Sequence, residues 1–384
     1  MSPPLQAVAA GHVFDGNSVH RDAAVVMDGE RIARVLPRAE LPRSAPLRTL
    51  PDGAWLAPGF IDLQVNGGGD VLFNESPTPE AIAAIIKAHR KFGTTSLLPT
   101  FITDAAEKMR AAIAATQTSI AHEPSVLGIH LEGPFLSPEK PGVHAVRYIR
   151  APHDEDTALL TAPREGAMLV TLAPECVPKG FIAQLAAAGI RVSLGHSNAS
   201  YEQTRAAIAE GLTGFTHLFN AMPPLMSRAP GPIAAALTSS AVFYGLIVDG
   251  YHVDPATLRV ALRGAGRCML VTDAMPPVGG KQTAFRLYGE EIAVTGGRCT
   301  RADGTLAGSA LSMAQAVANC VKLLGLPLAD ALRLASRNPA EFIGRGDTLG
   351  RLAPGYRADL VAFDPVSMDV IDTWVAGVNA SAAS

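Results

Sequence analysis

The stretch MLVTLAPECVPKGFIAQLAAAGIRVSLGHS, at residues 168–197, shows a pattern of apolar and helical segments that recurs along much of the sequence. A run of apolar and β-branched residues precedes an alanine-rich segment of helical period, and a second apolar run follows it. Two buried runs on either side of a helical segment are typical of a βαβ unit, in which the strands are parallel. The stretch therefore predicts an α/β fold.

Runs of this kind alternate with helical segments from Trp55 to Gly325, and we count eight of them, the strand number of a (β/α)8 barrel. The runs are WLAPGFIDLQV (55–65), TSLLPTF (95–101), VLGIHLEG (126–133), MLVTLAPE (168–175), RVSLGHS (191–197), GFTHLFN (214–220), VFYGLIVDG (242–250) and CMLVTDAM (268–275). Helical segments between them include PEAIAAIIKAHRKFG (79–93) and SYEQTRAAIAEG (200–211). We predict a TIM-like (β/α)8 barrel over residues 57–350.

The two ends of the chain have a different pattern. Residues 5–50 and 352–375 read as short strands separated by Gly, Pro and Asp turns, with no helical segment between them. Chain ends commonly lie close together in compact proteins. We therefore predict a discontinuous small β-sandwich domain, built from residues 1–56 and 351–384.

Composition and charge restrict the classes of function. The chain has 384 residues, 48% of them hydrophobic and 17% charged, and a net charge of -3. The chain has no excess of basic residues of the kind that proteins use to bind nucleic acid. It also has no run of the roughly 18 apolar residues that a membrane span needs. The four cysteines are far apart and include no CxxC pair, which favours reduced thiols. We expect a cytoplasmic protein that binds neither nucleic acid nor membranes.

Four of the apolar runs close with a polar residue that carries chemistry: Glu132, His196, His217 and Asp273. Barrel enzymes place their catalytic groups at the carboxyl ends of the strands, so these side chains face one rim. One carboxylate and two imidazoles, Glu132, His196 and His217, can hold a divalent cation and leave a position open for water. We predict a metal site of this kind, with Zn²⁺ as the default ion and Fe²⁺, Mn²⁺ or Co²⁺ as alternatives.

Asp273 is then the candidate general base and acid. It would take a proton from the metal-bound water and pass it to the leaving amine. An isolated His or Asp at a strand end more often fixes a loop or caps a helix. Four of them on one rim favour a catalytic site.

The other histidines fit structural roles. His130 shares a strand with Glu132 and is expected to make hydrogen bonds inside the barrel. The rest lie in helical segments, in the end domain or in exposed loops, and none is a candidate ligand: His12, His20, His89, His122 and His153.

Several motifs occur in an order that resembles the N-acetylglucosamine-6-phosphate deacetylases. They are PGFIDLQVNG, HLEGPF, the GVH of KPGVHAV, LGHSNA, THLFNAM, VDGYHVD, VTDAM and GTLAGS. The closing runs NPAEFIG and LGRLAPGYRADLVAFD are similar to amidohydrolases in general. The resemblance covers almost the whole chain.

The resemblance implies roles for further residues. His144 would contact the substrate and polarise the acetyl carbonyl, which stabilises the developing oxyanion. The family pattern places recognition of the sugar phosphate on Asn220, Ala221, Arg228 and His252, and Leu306 would line the acetyl pocket. It also implies a homodimer with sites near the subunit interface. Without the resemblance, Arg228 reads as a solvated loop residue and Asn220 as a turn or cap residue.

Strand one departs from the amidohydrolase pattern. Many of these enzymes end that strand with HxH, which helps to hold a second ion, whereas this chain has Gln64 and Asn66. Neutral amides are poor zinc ligands, so we predict one metal ion per subunit and hydrogen-bonding roles for both amides. The fourth run ends at Glu175, a candidate rim residue, with no lysine to bridge two metals.

The Gly-rich, strand-like stretch at residues 276–308 follows the eighth run, and we expect it to cover the site.

The hypothesis is a metal-dependent hydrolysis of the acetamide of N-acetylglucosamine 6-phosphate. The alternatives are deacetylation of another N-acetylhexosamine phosphate such as the galactosamine isomer, hydrolysis of a cyclic amide, and a noncatalytic amidohydrolase-like scaffold.

Overall fold

The structure is a computed structural model that describes residues 5–41 and 46–379. Residues 1–4 and 380–384, which belong to the predicted end domain, lie outside the described residues, as do residues 42–45.

The chain begins in a sheet that we call the end sheet. Its first strands are β1 (Gln6–Phe14), β2 (Val19–Asp28), β3 (Arg31–Pro37), β4 (Leu47–Thr49) and β5 (Trp55–Pro58). Strands β1, β2 and β3 are antiparallel neighbours, and the other edge of β1 pairs in parallel with β4 and then β5. The predicted strands before residue 50 are thereby present.

The barrel follows directly. Its region contains β6 (Phe60–Val65), the short hairpin of β7 (Gly67–Gly68) and β8 (Val71–Leu72), and then β9 (Thr94–Ile102), β10 (Gly128–Glu132), β11 (Ala167–Leu172), β12 (Arg191–Leu194), β13 (Gly214–Phe215), β14 (Phe243–Leu246) and β15 (Arg267–Leu270). Strands β6 and β9 to β15 form one eight-stranded parallel sheet in chain order. Each lies in or overlaps one of the eight predicted runs, so the predicted barrel is confirmed.

Residues just after β15 close the barrel against β6. Val65 and Ala274 form a parallel bridge, and the N–H of Asp273 donates to the carbonyl of Gln64 over 3.0 Å. The closure brings the carboxyl end of the first barrel strand next to that of the eighth. The polar residues that follow these two strands are therefore neighbours.

The helices are α1 (Pro79–Arg90), α2 (Ala106–Ile120), α3 (Asp154–Thr161), α4 (Phe181–Ala187), α5 (Tyr201–Ala209), α6 (Gly231–Thr238), α7 (Pro255–Ala261), α8 (Met313–Leu324), α9 (Leu328–Ala335) and α10 (Arg337–Phe342). Both helices quoted from the sequence are present, and both begin at a side-chain cap. Thr78 accepts from the N–H of Ala81 at the start of α1, and Ser200 forms a capping box with Gln203 in α5. Among the described residues, no helix has the length and apolar character to cross a membrane.

The stretch after the eighth barrel strand forms a small antiparallel sheet of its own. Its strands are β16 (Ala284–Leu287), β17 (Glu290–Thr295), β18 (Arg298–Thr300) and β19 (Leu306–Ser309). Buried apolar residues of these strands, including Phe285, Ile292 and Cys299, form a separate cluster with Met275. We call this element the inserted sheet.

The chain returns to the end sheet through β20 (Leu360–Phe363), β21 (Val370–Val375) and β22 (Val378–Asn379). Strand β20 pairs with β5, and the N–H of Ile32 in edge strand β3 donates to the carbonyl of Tyr356, just before β20. The sheet thus wraps around a core of its own that includes Leu56, Leu360 and Trp374. A small β-domain built from both chain ends is confirmed, as one continuous sheet whose two halves enclose this core.

The run 55–65 divides between the two sheets at Gly59. A Cβ at this position would lie 2.2 Å from the side chain of Thr95 on β9, so only glycine fits here. Trp55–Pro58 belongs to the end sheet, and Phe60–Val65 is the first barrel strand. We therefore propose that the domain boundary lies at Gly59, shortly after the predicted boundary between residues 56 and 57.

Candidate active site

Three predicted ligands converge at one end of the barrel. Glu132 is the last residue of β10, while His196 and His217 follow β12 and β13. The Nε2 atoms of His196 and His217 lie 2.9 Å and 3.0 Å from Oε1 of Glu132, and 3.1 Å from each other. All three side chains are buried. Two imidazole nitrogens and a carboxylate oxygen meeting at one point are a donor set for a divalent cation.

The backbone is strained at three of the candidate site residues on the rim. His196, His217 and Asp273 have φ angles of +48°, +33° and +54°. Non-glycine residues in this left-handed region cost about 1–3 kcal/mol each and persist where the surrounding structure enforces them. Each of these residues follows a barrel strand, so the left-handed turn redirects the chain as it leaves the sheet.

The electrostatics of the cluster favour a cation. Burial alone would raise the pKa of Glu132, but hydrogen bonds with His144, His196 and His217 outweigh it and hold the pKa well below its usual range. Burial, followed by the charge of His144, lowers the pKa of His196 to about 4. Burial alone would also lower the pKa of His217, but its hydrogen bond with Glu132 and the charge of that carboxylate raise it. Positive charge is therefore stabilised between His217 and Glu132, where a divalent cation can bind.

The loop at residues 140–142 fixes the orientation of one ligand. Nδ1 of His196 lies 2.9 Å from the carbonyl of Lys140, so this nitrogen is the protonated one and Nε2 is free to bind a metal. Gly142 has a φ of +54°, and a Cβ there would lie 3.1 Å from the ring of His196. The loop therefore packs directly against the ligand. The residues at the cluster fit a divalent metal ion.

Asp273 lies beside the ligands and is held by the two amides that replace the HxH pair. Oδ1 of Asp273 accepts from Nδ2 of Asn66 over 2.6 Å and from Nε2 of Gln64 over 3.2 Å. The same Gln64 amide donates to Oε2 of Glu132 over 3.0 Å. Burial and then the charge of Glu132 raise the pKa of Asp273 to about 6. A carboxyl group with this pKa can both accept and donate a proton near neutral pH.

A cavity of about 540 Å³ adjoins the cluster. Most of the predicted site residues line it: Asn66, Glu132, His144, His196, His217, Asn220, Ala221, His252, Asp273 and Leu306. Gln64 is not among its lining residues but reaches the site through its hydrogen bonds. Arg228 is exposed and does not line the cavity of this chain. Ile247, Met275 and Leu306 give one part of the wall apolar character.

His144 projects into the cluster from the loop that follows β10. Its Nε2 lies 3.7 Å from Oε1 of Glu132, and its ring centroid is 4.3 Å from that of His196. Nδ1 of His144 lies 2.8 Å from the hydroxyl of Thr103. The loop histidine is thus buried beside the ligands and not exposed to solvent.

A sequence profile of the amidohydrolase family matches residues 55–380. The chain belongs to the amidohydrolase family. The match covers the whole barrel and the returning strands of the end sheet, so it includes every residue of the site.

Relatives of this amidohydrolase match it over nearly its full length. It is 44% identical to the N-acetylgalactosamine-6-phosphate deacetylase of Shewanella sp. (strain ANA-3), over 97% of this chain and 95% of that protein. It is 37% identical to the N-acetylglucosamine-6-phosphate deacetylase of Haemophilus influenzae, over 95% of this chain and 96% of the relative. The crystal structure of N-acetylglucosamine-6-phosphate deacetylase from Pasteurella multocida superposes with a TM-score of 0.94 at 37% identity, covering 98% and 99% of the two chains. The resemblance inferred from the motifs is confirmed.

The phosphate-site candidates of this amidohydrolase lie on the rim after β13 and β14. Nδ2 of Asn220 donates to the carbonyl of His217 over 3.1 Å, which ties it to the metal cluster. Phe219 and Ala221 have φ angles of +82° and +51°. Nδ1 of His252 lies 2.6 Å from Oδ2 of Asp249, so His252 donates from this nitrogen to a carboxylate.

Several residues at the site received no role from the sequence. Asp249 orients His252, Thr103 contacts His144, and Lys140 both lines the cavity and supports His196 through its carbonyl. Thr103 closes the apolar run of β9, so the rule that identified Glu132 could also have found it. Asp249 lies in the VDGYHVD motif but was not assigned.

Glu175, the rim candidate, supports the loop behind a ligand. Its carboxylate accepts from the hydroxyl of Ser197 over 2.8 Å and from the N–H of Asn198. These two residues follow His196 directly. Glu175 thus holds the chain that leaves the ligand.

His130 lies in the barrel interior, as predicted, in a chain of buried hydrogen bonds. Its Nε2 is 2.7 Å from the hydroxyl of Thr171, and its Nδ1 is 3.1 Å from the carbonyl of Leu63. Across residues 5–41 and 46–379, Glu132, His196 and His217 form the only cluster of three His, Cys, Asp or Glu side chains with the spacing for a metal. None of the other predicted non-ligand histidines belongs to it.

Proposed function

We propose that this amidohydrolase hydrolyses the acetamide of N-acetylglucosamine 6-phosphate to glucosamine 6-phosphate and acetate. The observation that carries the proposal is the position of Asp273. Its carboxylate is joined to the metal-ligand carboxylate of Glu132 by the amide of Gln64, which donates to both. A proton acceptor next to a cation site is the arrangement that hydrolysis of an unactivated amide requires.

The metal ligands and Asp273 divide the chemistry between them. A divalent cation held by Glu132, His196 and His217 would act as a Lewis acid, lowering the pKa of a water ligand to about 7 and polarising the acetyl carbonyl. We assign one such ion to each subunit, with Zn²⁺ as the default and Fe²⁺, Mn²⁺ or Co²⁺ as alternatives, because Gln64 and Asn66 offer neutral amides where a second ion would need imidazoles.

Asp273 handles the proton in both halves of the reaction. As the water oxygen bonds to the acetyl carbon, Asp273 accepts the proton that the water loses. It then donates this proton to the amide nitrogen as the C–N bond breaks, and acetate and the free amine leave. The pKa of about 6 that burial and Glu132 give Asp273 suits both transfers.

His144 stabilises the charge that develops on the acetyl oxygen. Its ring is buried, and its Nε2 faces the cluster 3.7 Å from Glu132. A donor held in a water-poor cavity, close to the reacting carbonyl, stabilises an oxyanion more than the neutral ground state. Leu306, together with Ile247 and Met275, gives the acetyl methyl an apolar wall.

Recognition of the phosphate would involve Asn220, Ala221, His252 and Arg228. The left-handed residues Phe219 and Ala221 alternate with residues of ordinary φ, and such alternation arranges backbone N–H groups into an anion-binding concavity. Arg228 lies outside the cavity of its own chain. We therefore propose a homodimer in which Arg228 of one subunit reaches the phosphate bound to the other.

We further propose that the protein works in the cytoplasm, on a phosphorylated amino sugar, and that the inserted sheet over residues 284–309 acts as a lid. The four cysteines have free thiols, as in reducing compartments. Gly304, Thr305, Leu306 and Gly308 line the cavity, so movement of this sheet would change access to it.

An acetate-release assay tests the proposed function. The purified protein should release acetate from N-acetylglucosamine 6-phosphate, lose this activity after prolonged chelation and regain it with added Zn²⁺. Metal analysis of the same sample should give one ion per chain. Acetate release that is absent from the metal-replete protein would refute the proposal, and a protein that contains no stoichiometric metal would favour the noncatalytic scaffold. A second ion per chain would contradict the single-metal site and revive the cyclic-amide alternative.

The galactosamine isomer is a second candidate substrate. The Shewanella relative that matches at 44% identity is an N-acetylgalactosamine-6-phosphate deacetylase, and it covers the chain as fully as the glucosamine enzymes do. The two substrates differ in the orientation of one hydroxyl. Comparing kcat/KM for the two phosphates decides which epimer the site prefers.

A further inference from the structure

Thr103 contacts His144, the main chain of Glu132 and the inserted sheet. It follows β9 and is buried. Its hydroxyl oxygen is 2.8 Å from Nδ1 of His144 and 3.2 Å from the main-chain carbonyl of Glu132. Its own carbonyl accepts a hydrogen bond from the hydroxyl of Tyr288, which belongs to the inserted sheet. One small side chain therefore contacts both the oxyanion candidate and the main chain of a metal ligand.

The two contacts of the Thr103 hydroxyl assign the proton on His144. A threonine hydroxyl has one proton to donate and lone pairs to accept with. The contact of the hydroxyl with Nδ1 of His144, at 2.8 Å, is shorter than its contact with the carbonyl of Glu132, at 3.2 Å, so we assign the proton to the contact with Nδ1. Nδ1 then accepts, and the proton of a neutral imidazole is on Nε2. A proton on Nε2 is the one that can donate to the acetyl oxygen.

We propose that Thr103 is a positioning residue for His144, fixing its ring orientation and, by donating to Nδ1, keeping the ring proton on Nε2, on the side of the substrate. With Nδ1 committed to Thr103, Nε2 is the nitrogen that faces Glu132 and the cavity. This inference rests on the proposed function, because the orientation matters only if His144 contacts the acetyl group.

Tyr288 extends this arrangement to the inserted sheet. It occupies a left-handed turn, with a φ of +53°, between β16 and β17. Its hydroxyl reaches the barrel and holds the carbonyl of Thr103. Tyr288 therefore holds the main chain of Thr103, while the hydroxyl of Thr103 contacts His144.

A packing role is the main alternative. Thr103 is tightly enclosed: a Cβ on Gly133 would lie 2.0 Å from its hydroxyl oxygen. If volume were its only contribution, valine would replace it well, because valine has the same shape and lacks only the hydroxyl. The two roles therefore predict opposite results for T103V.

The experiment measures acetate release, metal content and Tm for the metal-replete wild type, T103V and T103S. We expect T103V to lower kcat about 10- to 100-fold with little change in KM, as partners that orient catalytic groups commonly do. T103S keeps the hydroxyl and should stay within about threefold of wild type. Both should retain one metal per chain. A T103V protein with wild-type kcat, or a T103S protein as impaired as T103V, would overturn the proposal.

A double-mutant cycle separates action through His144 from other routes. In an H144A background, T103V should cause no further loss of kcat, since the ring it positions is gone. A further loss equal to that in the wild-type background would mean that Thr103 acts through Glu132 or through folding, and would refute the inference. Failure of the proposed function can be distinguished from failure of this inference, because the wild-type protein would then release no acetate at all.

Discussion

The side-chain amide of Asn66 donates a 2.6 Å hydrogen bond to Oδ1 of Asp273. Gln64 donates to the same oxygen over 3.2 Å. At the place where the HxH pattern of many amidohydrolases has two imidazoles, this chain has two amides that hold a carboxylate. The first barrel strand thus holds the carboxylate to which we assign the proton transfer.

Asn66→Leu should shift the pH dependence of catalysis upwards. The Asn66 amide stabilises the carboxylate form of Asp273 and so lowers its pKa, against the raising effects of burial and Glu132. Without the amide, the pKa rises above about 6. Because Asp273 must be ionised to accept a proton, the rise of kcat/KM with pH should then occur at higher pH. The pH profile of acetate release measures this shift. Asn17→Leu, at an exposed turn of the end sheet, is the control, and an unchanged profile in Asn66→Leu would contradict the prediction.

Asp273→Asn should nearly abolish turnover and spare the metal. Asparagine keeps the shape and the contacts with Gln64 and Asn66 in part, but it cannot exchange a proton with water. We expect kcat to fall by at least about 10²-fold, the usual loss for a general acid or base, with one metal per chain retained. Asp254→Asn is a matched control because Asp254 caps α7 and asparagine caps helices equally well. Near-normal turnover in Asp273→Asn would remove this residue from the mechanism.

Asp62 should make the fold less stable as the pH rises. It is buried below Asp273, accepts from the hydroxyl of Thr272 over 2.6 Å, and has a pKa that burial raises to about 7. The folded protein therefore keeps a proton here at pH values where the unfolded chain has lost it. The stability from this proton is present below about pH 4 and is lost as the pH rises through about 7.

Asp62→Asn cannot ionise, so its free energy of unfolding should decrease less than that of the wild type between about pH 5 and pH 8. Urea denaturation at both pH values gives the comparison. Equal pH dependence in the two proteins would show that Asp62 is ionised in the folded state.

Arg228 should act on the neighbouring subunit's site. Arg228→Ala is expected to raise KM, while Asp273→Asn lowers kcat. In a hybrid dimer of these two variants, one site would combine an intact Asp273 with an intact Arg228 from the other chain. Random pairing makes half of the dimers hybrids with one good site each, so about a quarter of wild-type activity should return on co-expression. If Arg228 serves its own chain, the hybrids contain no intact site and activity stays at the level of the parents.

The barrel could be predicted because its strands are buried on both faces. Such strands read as continuous apolar runs, and each of the eight runs contains or overlaps a barrel strand. The division at Gly59 could not be predicted in the same way, since the residues on both sides are apolar and extended. What separates them is the close approach of Thr95, a contact between residues far apart in sequence.

The candidate site could be predicted where a polar residue ends an apolar run, as at Glu132 and Asp273. His144 needed the family resemblance, because a histidine in a long loop has no periodic pattern around it. Thr103 could have been found by the same rule, but the contacts of Thr103 with His144 and of Asp249 with His252 join residues of different loops or turns and are visible only in the folded structure. The position of Arg228 within an assembly stays a prediction.

The pairing of β5 with β20 has a consequence for biosynthesis. Strand β5 ends at Pro58 and its partner begins at Leu360, so roughly 300 residues separate them on the nascent chain. At about 5–20 residues per second, the edge of β5 would wait on the order of 15–60 s for its partner to leave the ribosome. An exposed strand edge is prone to intermolecular pairing during such a delay. The end sheet is therefore expected to be the last part of the molecule to form and the part with the greatest need of a chaperone.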